Sequence, residues 1–474
     1  MKYLLIIFAL LFAHYSFAQD DIAQKLDKIV DEYYKMDIFS GTVIVVKDDT
    51  PVFEKAVGYS SRGSKTPNNI ETIFNIGSIQ KTFTKVLLLQ LIQDGRLDLN
   101  DKLGKYVTGF SDPRAENATI KEIMIMMGGF GDYLNNPDIA QNPDRYSSIS
   151  DILAEIKKEP LLFDPGTKEM YSNSGYVVLG GVLEKIYGKT YSEILKEKIL
   201  DPLGMNRSLF IRNDAKAENK AVGYMIAPDG NIMDVRQFNV APTSAGGMFS
   251  NVYDLLKFGQ SLMEDNKLLN DEHKFLLYDL GPGGKSNYSS WKSIRSSNSF
   301  GVGWAGGSPG WNSMLVQRGS SPRYTVIVLS NYDEPSAEAL YSQIRNILNS
   351  KEPETVRLPL ERFVYNEIKS RGIDDFTNNF EKIFSENGYV IRDDLPLNMV
   401  GYALLQNDLI NEAIAVFKLN VKLYPNIPNC YDSLGEAYMV GGNKEEAIKN
   451  YETVLKMQPG NKNAQQMLDK LNTP

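Results

Sequence analysis

Histidine and cysteine are almost absent from this sequence. The 474 residues contain one cysteine, Cys430, and two histidines, His14 and His273. A zinc site of the usual type needs three or four such ligands, so we expect no metal and no other cofactor. A Ser-His-Asp triad would have to use His273, which stands in the charged stretch NDEHKFLL and is expected at the surface. Hydrolytic chemistry in this chain would therefore need a base other than histidine.

Positive charge and long apolar runs are also scarce. The formal net charge of −8 argues against a nucleic-acid partner, and no later segment is apolar for long enough to span a membrane. At the N-terminus, Lys2 precedes a short apolar run, and Ser16 and Ala18 occupy the −3 and −1 positions of a cleavage site. Residues 1–18 are predicted to be a signal peptide, and the mature protein to be exported, either periplasmic or secreted.

Strand patterns stand at both ends of a long first segment, with helical patterns between them. The stretches GTVIVVKDD and PVFEKAVGYSS predict one pair of strands, and SMLVQRG and RYTVIVLSNYD predict another. Apolar spacing predicts helices over residues 20–36, 78–94 and 337–348. This arrangement predicts one α+β domain over residues 19–350, with a sheet completed by both ends of the segment.

A repeat replaces the strand signals after about residue 355. Four pairs of similar residues recur at an offset of 34: Gly401 and Gly435, Ala413 and Ala447, Phe417 and Tyr451, and Pro425 and Pro459. This period is typical of tetratricopeptide repeats, although two unrelated helical hairpins could share the spacing by chance. We predict a helical connector over 351–392 and tetratricopeptide-like repeats over 393–474, with a surface for a protein or peptide partner. Cys430 is expected to pack there as a small apolar residue.

The segment FNIGSIQKTFTK contains the pattern Ser-x-x-Lys. Ser78 and Lys81 would share one face of a helix that begins near Ser78. A desolvated Lys81 could lose its proton and activate the hydroxyl, and backbone N–H groups at the helix start could hold an oxyanion. The simpler interpretation makes Ser78 an ordinary helix N-cap. The pattern also occurs at Ser289 and Lys292, in a serine-rich stretch without a helical pattern.

A second pattern, Tyr-x-Asn, stands at Tyr171 and Asn173. A phenolate beside an ammonium group is stabilised and can relay a proton. The amide of Asn173 could hold Lys81 or a substrate amide. The same pattern begins at Tyr133 and at Tyr424. Tyr424 lies in the repeat region, which leaves Tyr133 as the competitor.

Four segments in this order resemble the serine β-lactamase and penicillin-binding-protein family. They are FNIGSIQK, FDPGTKEMYSNSGYVVLGGVLE, TSAGGMFSNVYDLLKF and GGSPGWNS, and the resemblance covers residues 20–350. It is closest to the branch of class C β-lactamases and of D-amino-acid-releasing peptidases and esterases. It implies an antiparallel sheet flanked by helices, with an additional helical part. It also implies that Ser78 is the nucleophile, Lys81 and Tyr171 the base pair, and Asn173 a substrate-orienting residue.

The sequence departs from the family's motifs in two places. Met126-Met127-Gly128-Gly129 stands where the branch usually carries His-Thr-Ser-Gly, and methionine can fill that volume with apolar atoms. Trp304 stands where the third motif usually has Lys or His, followed by Ala305, Gly306 and Gly307. We expect Gly306 and Gly307 to line the substrate site, with the Gly307 N–H completing an oxyanion hole. Trp304 would offer substrate an apolar face instead of a cation, unless GVGW belongs to a preceding strand.

The sequence therefore predicts an exported serine hydrolase that forms an acyl-enzyme on an amide or ester. The substrate classes implied by the resemblance are D-amino-acid peptides, small esters and β-lactams. The alternative is a degenerate, non-hydrolytic module that binds a peptide or protein through the repeats. The altered third motif favours the alternative, whereas the intact Ser78, Lys81, Tyr171 and Asn173 favour the enzyme.

Overall fold

The computed structural model describes residues 21–238, 241–279, 289–297, 301–319, 322–333 and 335–473. The predicted signal peptide lies outside these residues. The described chain groups into two compact units. One contains the residues up to Met225 together with Asp234–Val356, and the other contains Ile226–Met233 together with the residues from Arg357 onward.

A five-stranded antiparallel sheet forms the framework of the first unit. Its strands come from the beginning and the end of the unit, as the sequence predicted. The strands of the described chain are β1 Gly41–Lys47, β2 Thr50–Val57, β3 Tyr59–Ser61, β4 Thr66–Pro67, β5 Phe74–Asn75, β6 Tyr224–Ile226, β7 Ile232–Asp234, β8 Phe249–Ser250, β9 Gly301–Ser308, β10 Trp311–Arg318 and β11 Tyr324–Ser330. Five of them form the sheet, in the order β2-β1-β11-β10-β9, and the others pair in short two-stranded ribbons.

The central strands are rich in β-branched residues and are buried on both faces. In β1, with the sequence GTVIVVK, six consecutive residues are buried, and β11 has the same character. Since side chains alternate between the faces of a strand, helices must cover both sides of this sheet. The resulting α+β fold agrees with the prediction.

Helices of the first unit surround a central helix, α2 (Gln80–Gln93), which is buried along most of its length. Its apolar side chains from Phe83 to Leu91 are fully buried, and it packs against α7 (Asn173–Tyr187) and α11 (Asp271–Asp279). The helices are α1 (21–35), α2 Gln80–Gln93, α3 Arg114–Asn117, α4 Ile120–Met124, α5 Pro137–Gln141, α6 Ile149–Ile156, α7 Asn173–Tyr187, α8 Tyr191–Leu195, α9 Asp201–Leu203, α10 Val252–Met263, α11 Asp271–Asp279, α12 Trp291–Ser296 and α13 Ser336–Leu348.

In the second unit, the residues from Arg357 onward are helical with short connections. The repeated glycines lie where neighbouring helices approach: a Cβ atom on Gly401 would lie 2.4 Å from the ring of Phe417, and one on Gly435 would lie 3.2 Å from the ring of Tyr451. Cys430 is buried. The helices are α14 Leu360–Arg371, α15 Ile373–Asn387, α16 Leu395–Gln406, α17 Ile410–Leu423, α18 Pro428–Val440, α19 Lys444–Met457 and α20 Lys462–Asn472.

Two local predictions are wrong. His273 is buried rather than exposed, because α11 turns His273 and Leu277 inward, and the His273 Nδ1 lies 2.8 Å from the Asn270 Oδ1. The second Ser-x-x-Lys pattern does meet a helix, since Ser290 caps α12 and Lys292 lies within it. Among the described residues, no helix is long and apolar enough to cross a membrane.

Candidate active site

Ser78 lies in a tight turn that leads into α2. Gly77 begins this 3-10 turn with a φ of 51°, a left-handed conformation that favours glycine. The Asn75 Oδ1 accepts a hydrogen bond from the Gly77 N–H at 2.9 Å. The N-cap of α2 is Ile79, and no side chain caps the helix. The interpretation of Ser78 as an ordinary N-cap is therefore wrong, and its hydroxyl is free for other contacts.

Three oxygen atoms surround the amine of Lys81. The Lys81 Nζ lies 2.9 Å from the Ser78 Oγ, 2.7 Å from the Asn173 Oδ1 and 2.6 Å from the Ala245 carbonyl oxygen. Lys81 is only 6% exposed. The fold thus brings together side chains that are more than 90 residues apart in the sequence.

Burial changes the acid–base chemistry of Lys81. Desolvation lowers the pKa of Lys81 from 10.5 to about 7, and the negative charge of Asp132 opposes this shift. At neutral pH a large fraction of Lys81 is therefore a free amine, which is the form that accepts a proton.

Tyr171 contacts Ser78 on the side open to solvent. Its hydroxyl lies 2.5 Å from the Ser78 Oγ, and the Lys81 Nζ lies 4.9 Å from the centre of its ring. The residue as a whole is 53% exposed, but burial around its hydroxyl raises the pKa of Tyr171, against the hydrogen bond with Ser78. The expected stabilised phenolate is therefore wrong: Tyr171 is a neutral phenol at neutral pH, which can donate one proton while it accepts another.

The competing tyrosine makes different contacts. Tyr133 is buried, and its hydroxyl lies 3.3 Å from the Thr243 Oγ1. Burial raises the pKa of Tyr133 to about 12. Of the two tyrosines, only Tyr171 forms a hydrogen bond with Ser78.

Asn173 is held at the start of α7 by the residues around it. Ser172 caps the helix, because its Oγ accepts a hydrogen bond from the Gly175 N–H at 2.9 Å. The Asn173 Nδ2 donates to the Asp132 Oδ2 at 2.6 Å, while its Oδ1 accepts from Lys81. The sequence suggested that Asn173 holds either Lys81 or a substrate amide, and the structure shows the contact with Lys81.

The edge strand β9 runs directly beside the Ser78 turn. A Cβ atom on Gly306 would lie 1.9 Å from the Ile76 carbonyl oxygen and 3.1 Å from the Ser78 nitrogen. A Cβ atom on Gly77 would lie 2.7 Å from the Gly307 nitrogen. Only glycine permits these approaches, and together they place the Gly307 amide next to the Ser78 turn.

Trp304 is not brought to this cavity. It lies on β9 with GVGW and the glycines in a single strand. Side chains two apart on a strand share a face, and Gly306 faces the interior, so Trp304 turns inward as well. Its indole packs against the main apolar core, with its ring centre 6.1 Å from that of Tyr278. The expectation that Trp304 lines the substrate site is therefore not supported by this geometry.

A cavity of about 410 Å³ opens over Ser78. Its walls combine the polar groups around Ser78 with the apolar side chains of Leu134, Ile139, Phe238 and Pro309. None of the described residues that line it is Lys, Arg, His, Asp or Glu. The cavity can accommodate a small neutral molecule with an apolar part.

Known proteins share this arrangement of strands and helices. The sequence matches the family model described as Beta-lactamase over residues 26–349. The chain belongs to the beta-lactamase family. Among the described residues, no group of three or more His, Cys, Asp and Glu side chains is placed to hold a metal ion. The matched residues include Ser78 and both side chains that form hydrogen bonds with its hydroxyl, Lys81 and Tyr171.

Three known proteins are similar to this chain in sequence or in fold. Protein flp of Staphylococcus aureus (strain N315) is 25% identical over 73% of this chain and 70% of its own length. The structure of the octameric penicillin-binding protein homologue from Pyrococcus abyssi is 25% identical, with a TM-score of 0.59, and covers 73% of this chain and 81% of its own. The D-amino acid amidase from Ochrobactrum anthropi SV3 is 20% identical, with a TM-score of 0.56, and covers 70% of this chain and 98% of its own.

Sequence reasoning missed several residues that complete the site. Asp132 bonds Asn173, and the Ala245 carbonyl oxygen bonds Lys81. Leu134 and Phe238 form part of the apolar wall. One signal was available for Asp132, because it directly precedes Tyr133 in the second Tyr-x-Asn pattern. Ala245 contributes only a backbone oxygen, which any residue could supply.

Proposed function

We propose that this protein is a serine hydrolase that forms an acyl-enzyme at Ser78 on neutral amides or esters. The observation that carries the proposal is the position of the Ser78 Oγ, 2.9 Å from a buried lysine amine and 2.5 Å from a tyrosine hydroxyl. A nucleophile within hydrogen-bond reach of an activated base is the usual arrangement for covalent catalysis. The base here is an amine, as expected for a chain with so little histidine.

In this mechanism the free amine of Lys81 takes the proton of Ser78 while the Oγ attacks the substrate carbonyl carbon. The oxygen of that carbonyl becomes negative and is held by the N–H groups of Ser78 and Gly307. When the bond to the leaving group breaks, the leaving group takes a proton from the Tyr171 hydroxyl, which is replenished from Lys81. Water then attacks the carbonyl carbon of the acyl-enzyme and gives one proton to the same pair. The bond between that carbon and the Ser78 Oγ breaks, the Oγ takes this proton back from the pair, and the acid is released.

The lining of the cavity supports neutral substrates with an apolar group. A substrate carboxylate would find no cation on the described wall, since Trp304 replaces the usual Lys or His and turns inward. A charge-assisted hydrogen bond is worth about 1.5–3 kcal/mol, so its absence disfavours β-lactams and peptides that end in a carboxylate. Small esters and amino-acid amides fit the wall better.

Two features support the proposal that the chain is similar to the branch of class C β-lactamases and of D-amino-acid-releasing peptidases and esterases. The first is Tyr171-Ser172-Asn173 in place of Ser-Asp-Asn, with Tyr171 in contact with the nucleophile. The second is the shared fold of the Ochrobactrum anthropi D-amino acid amidase, whose crystal structure holds L-phenylalanine amide. An amide of this kind, with an uncharged carboxamide and an apolar side chain, is the substrate type that we propose.

For the helical unit, we propose tetratricopeptide-like repeats that bind a protein or peptide. The close packing of Gly401 on Phe417 recurs between Gly435 and Tyr451, 34 residues later, and this period supports the assignment.

We also propose that the protein is exported after cleavage before Gln19. Mass spectrometry of the protein recovered from the cell envelope tests this: a mature N-terminus at Gln19 supports it, and an intact Met1 contradicts it.

The test of the hydrolase proposal is covalent labelling with a fluorophosphonate. Incubation of the purified protein should add one probe mass, on the peptide that contains Ser78, and the Ser78→Ala variant should remain unlabelled. Hydrolysis of a neutral ester should be lost with the labelling. If the folded wild-type protein neither labels nor hydrolyses any neutral ester or amide, the non-hydrolytic binding module is the correct description.

A further inference from the structure

Asp132 connects the loop before Tyr133 to the start of α7. Its Oδ2 accepts from the Asn173 Nδ2 at 2.6 Å, and its Oδ1 accepts from the Leu134 N–H at 3.0 Å. An ionised carboxylate can only accept hydrogen bonds. Asn173 must therefore turn its NH₂ group towards Asp132, and this turns its Oδ1 towards Lys81.

The direction of the Asn173 amide decides where Lys81 can use its lone pair. A free amine has two N–H donors and one lone pair. The Asn173 Oδ1 and the Ala245 carbonyl oxygen can only accept, so they occupy both N–H groups, at 2.7 and 2.6 Å. The lone pair then remains for the third neighbour, the Ser78 Oγ at 2.9 Å, which has a proton to give.

We infer that Asp132 is a positioning residue that fixes the Asn173 amide and thereby directs the lone pair of Lys81 onto Ser78. With the amide reversed, the Asn173 NH₂ group would face Lys81 and compete with Ser78 for that lone pair. This inference rests on the proposed function, and it assigns to Asp132 a part in the proton transfer that neither its sequence position nor the family resemblance gave it.

The loop that carries Asp132 has supports that do not involve its carboxylate. The Ser172 Oγ donates to the Gly131 carbonyl oxygen at 2.7 Å. On the other side, the hydroxyl of Tyr133 lies 3.3 Å from the Thr243 Oγ1. Replacing the Asp132 carboxylate by an amide of the same shape should therefore leave the loop in place.

Asp132 also affects the charge of Lys81. Within the described part of the chain, the titratable groups that face the Lys81 amine are Tyr171, Tyr176, whose ring centre lies 5.7 Å away, and Asp132. Both tyrosines are neutral at neutral pH, since burial raises the pKa of each. The negative charge of Asp132 favours protonated Lys81, so its removal should lower the pH at which the amine becomes free.

The experiment compares the fluorophosphonate labelling rate of Ser78 in the full chain and in Asp132→Asn, between about pH 5 and 10. In the wild type the rate should rise with pH and reach half its maximum near pH 7. In Asp132→Asn the maximum should fall by about tenfold to a hundredfold, part of the usual general-base contribution. The half-point of the variant, which is the pH at which its labelling rate is half-maximal, should move to lower pH by roughly half a unit or more.

Glu155→Gln is the matched control. Glu155 lies on α6, lines a cavity together with Asp132 and bonds Lys158. Its replacement removes one negative charge without touching Asn173. Its labelling rate and half-point should equal those of the wild type. A Glu155→Gln profile as strongly changed as that of Asp132→Asn would mean that any local charge has this effect, and would overturn the inference.

A double variant tests orientation separately from structure. Asp132→Asn combined with Asn173→Asp exchanges donor and acceptor, so that position 173 again presents an oxygen to Lys81. The maximum rate should recover to within about tenfold of the wild type. Its half-point should rise above that of the wild type, because the carboxylate then lies directly beside the amine. If Asp132 only stabilised the loop, the double variant would not recover the labelling rate.

The outcomes separate the two proposals. Wild-type protein that labels, together with Asp132→Asn of unchanged rate and half-point, overturns the inference and leaves the proposed function standing. Wild-type protein that does not label at any pH overturns both. If Asp132→Asn alone does not fold, a folded double variant whose maximum rate is not recovered also overturns the inference.

Discussion

Gly306 passes so close to Ile76 that a Cβ atom on Gly306 would lie 1.9 Å from the Ile76 carbonyl oxygen. The obstacle is backbone, which a side-chain rotation cannot relieve. This contact holds β9 against the turn that carries Ser78, and it brings the Gly307 amide beside that turn. The distance between β9 and the Ser78 turn is therefore possible only because residue 306 is a glycine, without a Cβ atom.

The first prediction concerns this contact. Gly306→Ala should move β9 away from the turn and reduce the labelling rate of Ser78 by at least about a hundredfold, the scale of a lost oxyanion donor. Gly301→Ala, on the same strand, is the control, because its Cβ would meet no atom closer than 3.9 Å. A Gly306→Ala variant that labels as fast as Gly301→Ala would contradict the role of this contact.

Tyr171→Phe removes the hydroxyl that lies 2.5 Å from the Ser78 Oγ. We expect the hydrolysis rate of a neutral ester to fall by at least about a hundredfold, as for the loss of a proton-transfer group. Lys81→Ala should have an effect at least as large. Tyr253→Phe removes a hydroxyl that bonds Glu54 outside the cavity and should leave the rate unchanged. Wild-type turnover in Tyr171→Phe would show that protons leave Ser78 by another route.

The buried amine also makes stability depend on pH. Lys81 keeps its proton up to about pH 10.5 when unfolded but only to about pH 7 when folded. Between these values the unfolded chain binds more protons, so the stability of the folded state rises with pH. Below pH 7 both states are protonated, and the folded state carries the full unfavourable free energy of the buried charge.

Lys81→Met lacks this titration and provides the reference. The free energy of unfolding of the wild type, minus that of Lys81→Met, should increase by about 2 kcal/mol between pH 7 and 9. Urea unfolding followed by tryptophan fluorescence measures it, because all three tryptophans, Trp291, Trp304 and Trp311, lie in the first unit. A difference that does not change with pH would mean that Lys81 is not desolvated.

The uncharged lining of the cavity predicts the preferred substrates. A neutral p-nitrophenyl butyrate should be hydrolysed at least about tenfold more efficiently than the p-nitrophenyl ester of succinate, whose free carboxylate meets no cation among the described residues of the wall. Nitrocefin, which also carries a carboxylate, should be a poor substrate. Faster hydrolysis of nitrocefin than of any neutral ester would contradict this account of the wall.

A cation placed on the wall should reverse the preference. Leu134 lines the cavity and is 48% exposed, so Leu134→Arg can extend into it and should improve hydrolysis of the succinate ester relative to the butyrate. Leu162→Arg, at a 61% exposed position outside this cavity, should leave the ratio unchanged. Equal effects of the two substitutions would indicate long-range attraction rather than a contact in the cavity.

The fold was predictable where the pattern of the sequence is local and repetitive. The apolar run of β1 and the spacing along α2 identify a buried strand and a buried helix without any knowledge of their partners. Ser78 and Lys81 could be paired for the same reason, since one helical turn joins them. Their resemblance to known motifs then led to Tyr171 and Asn173.

The rest of the site depends on contacts between distant segments. Asp132 reaches Asn173 across 41 residues, and Ala245 reaches Lys81 across 164, and no local pattern specifies either contact. Trp304 was expected in the cavity because of its position in the third motif. The alternation of side chains along β9 instead turns its indole towards the apolar core. His273 was expected outside because its neighbours are charged, although one face of α11 is buried.

The pH dependence of Ser78 labelling in the wild-type protein tests the central claim most directly, because that claim is that a neutral Lys81 activates Ser78. The second-order rate of fluorophosphonate labelling should rise through a half-point near pH 7, with intact mass showing one probe on Ser78. The Lys81→Ala variant should label slowly and lose this half-point. A wild-type rate that keeps rising towards pH 10, or that Lys81→Ala leaves unchanged, would contradict the account.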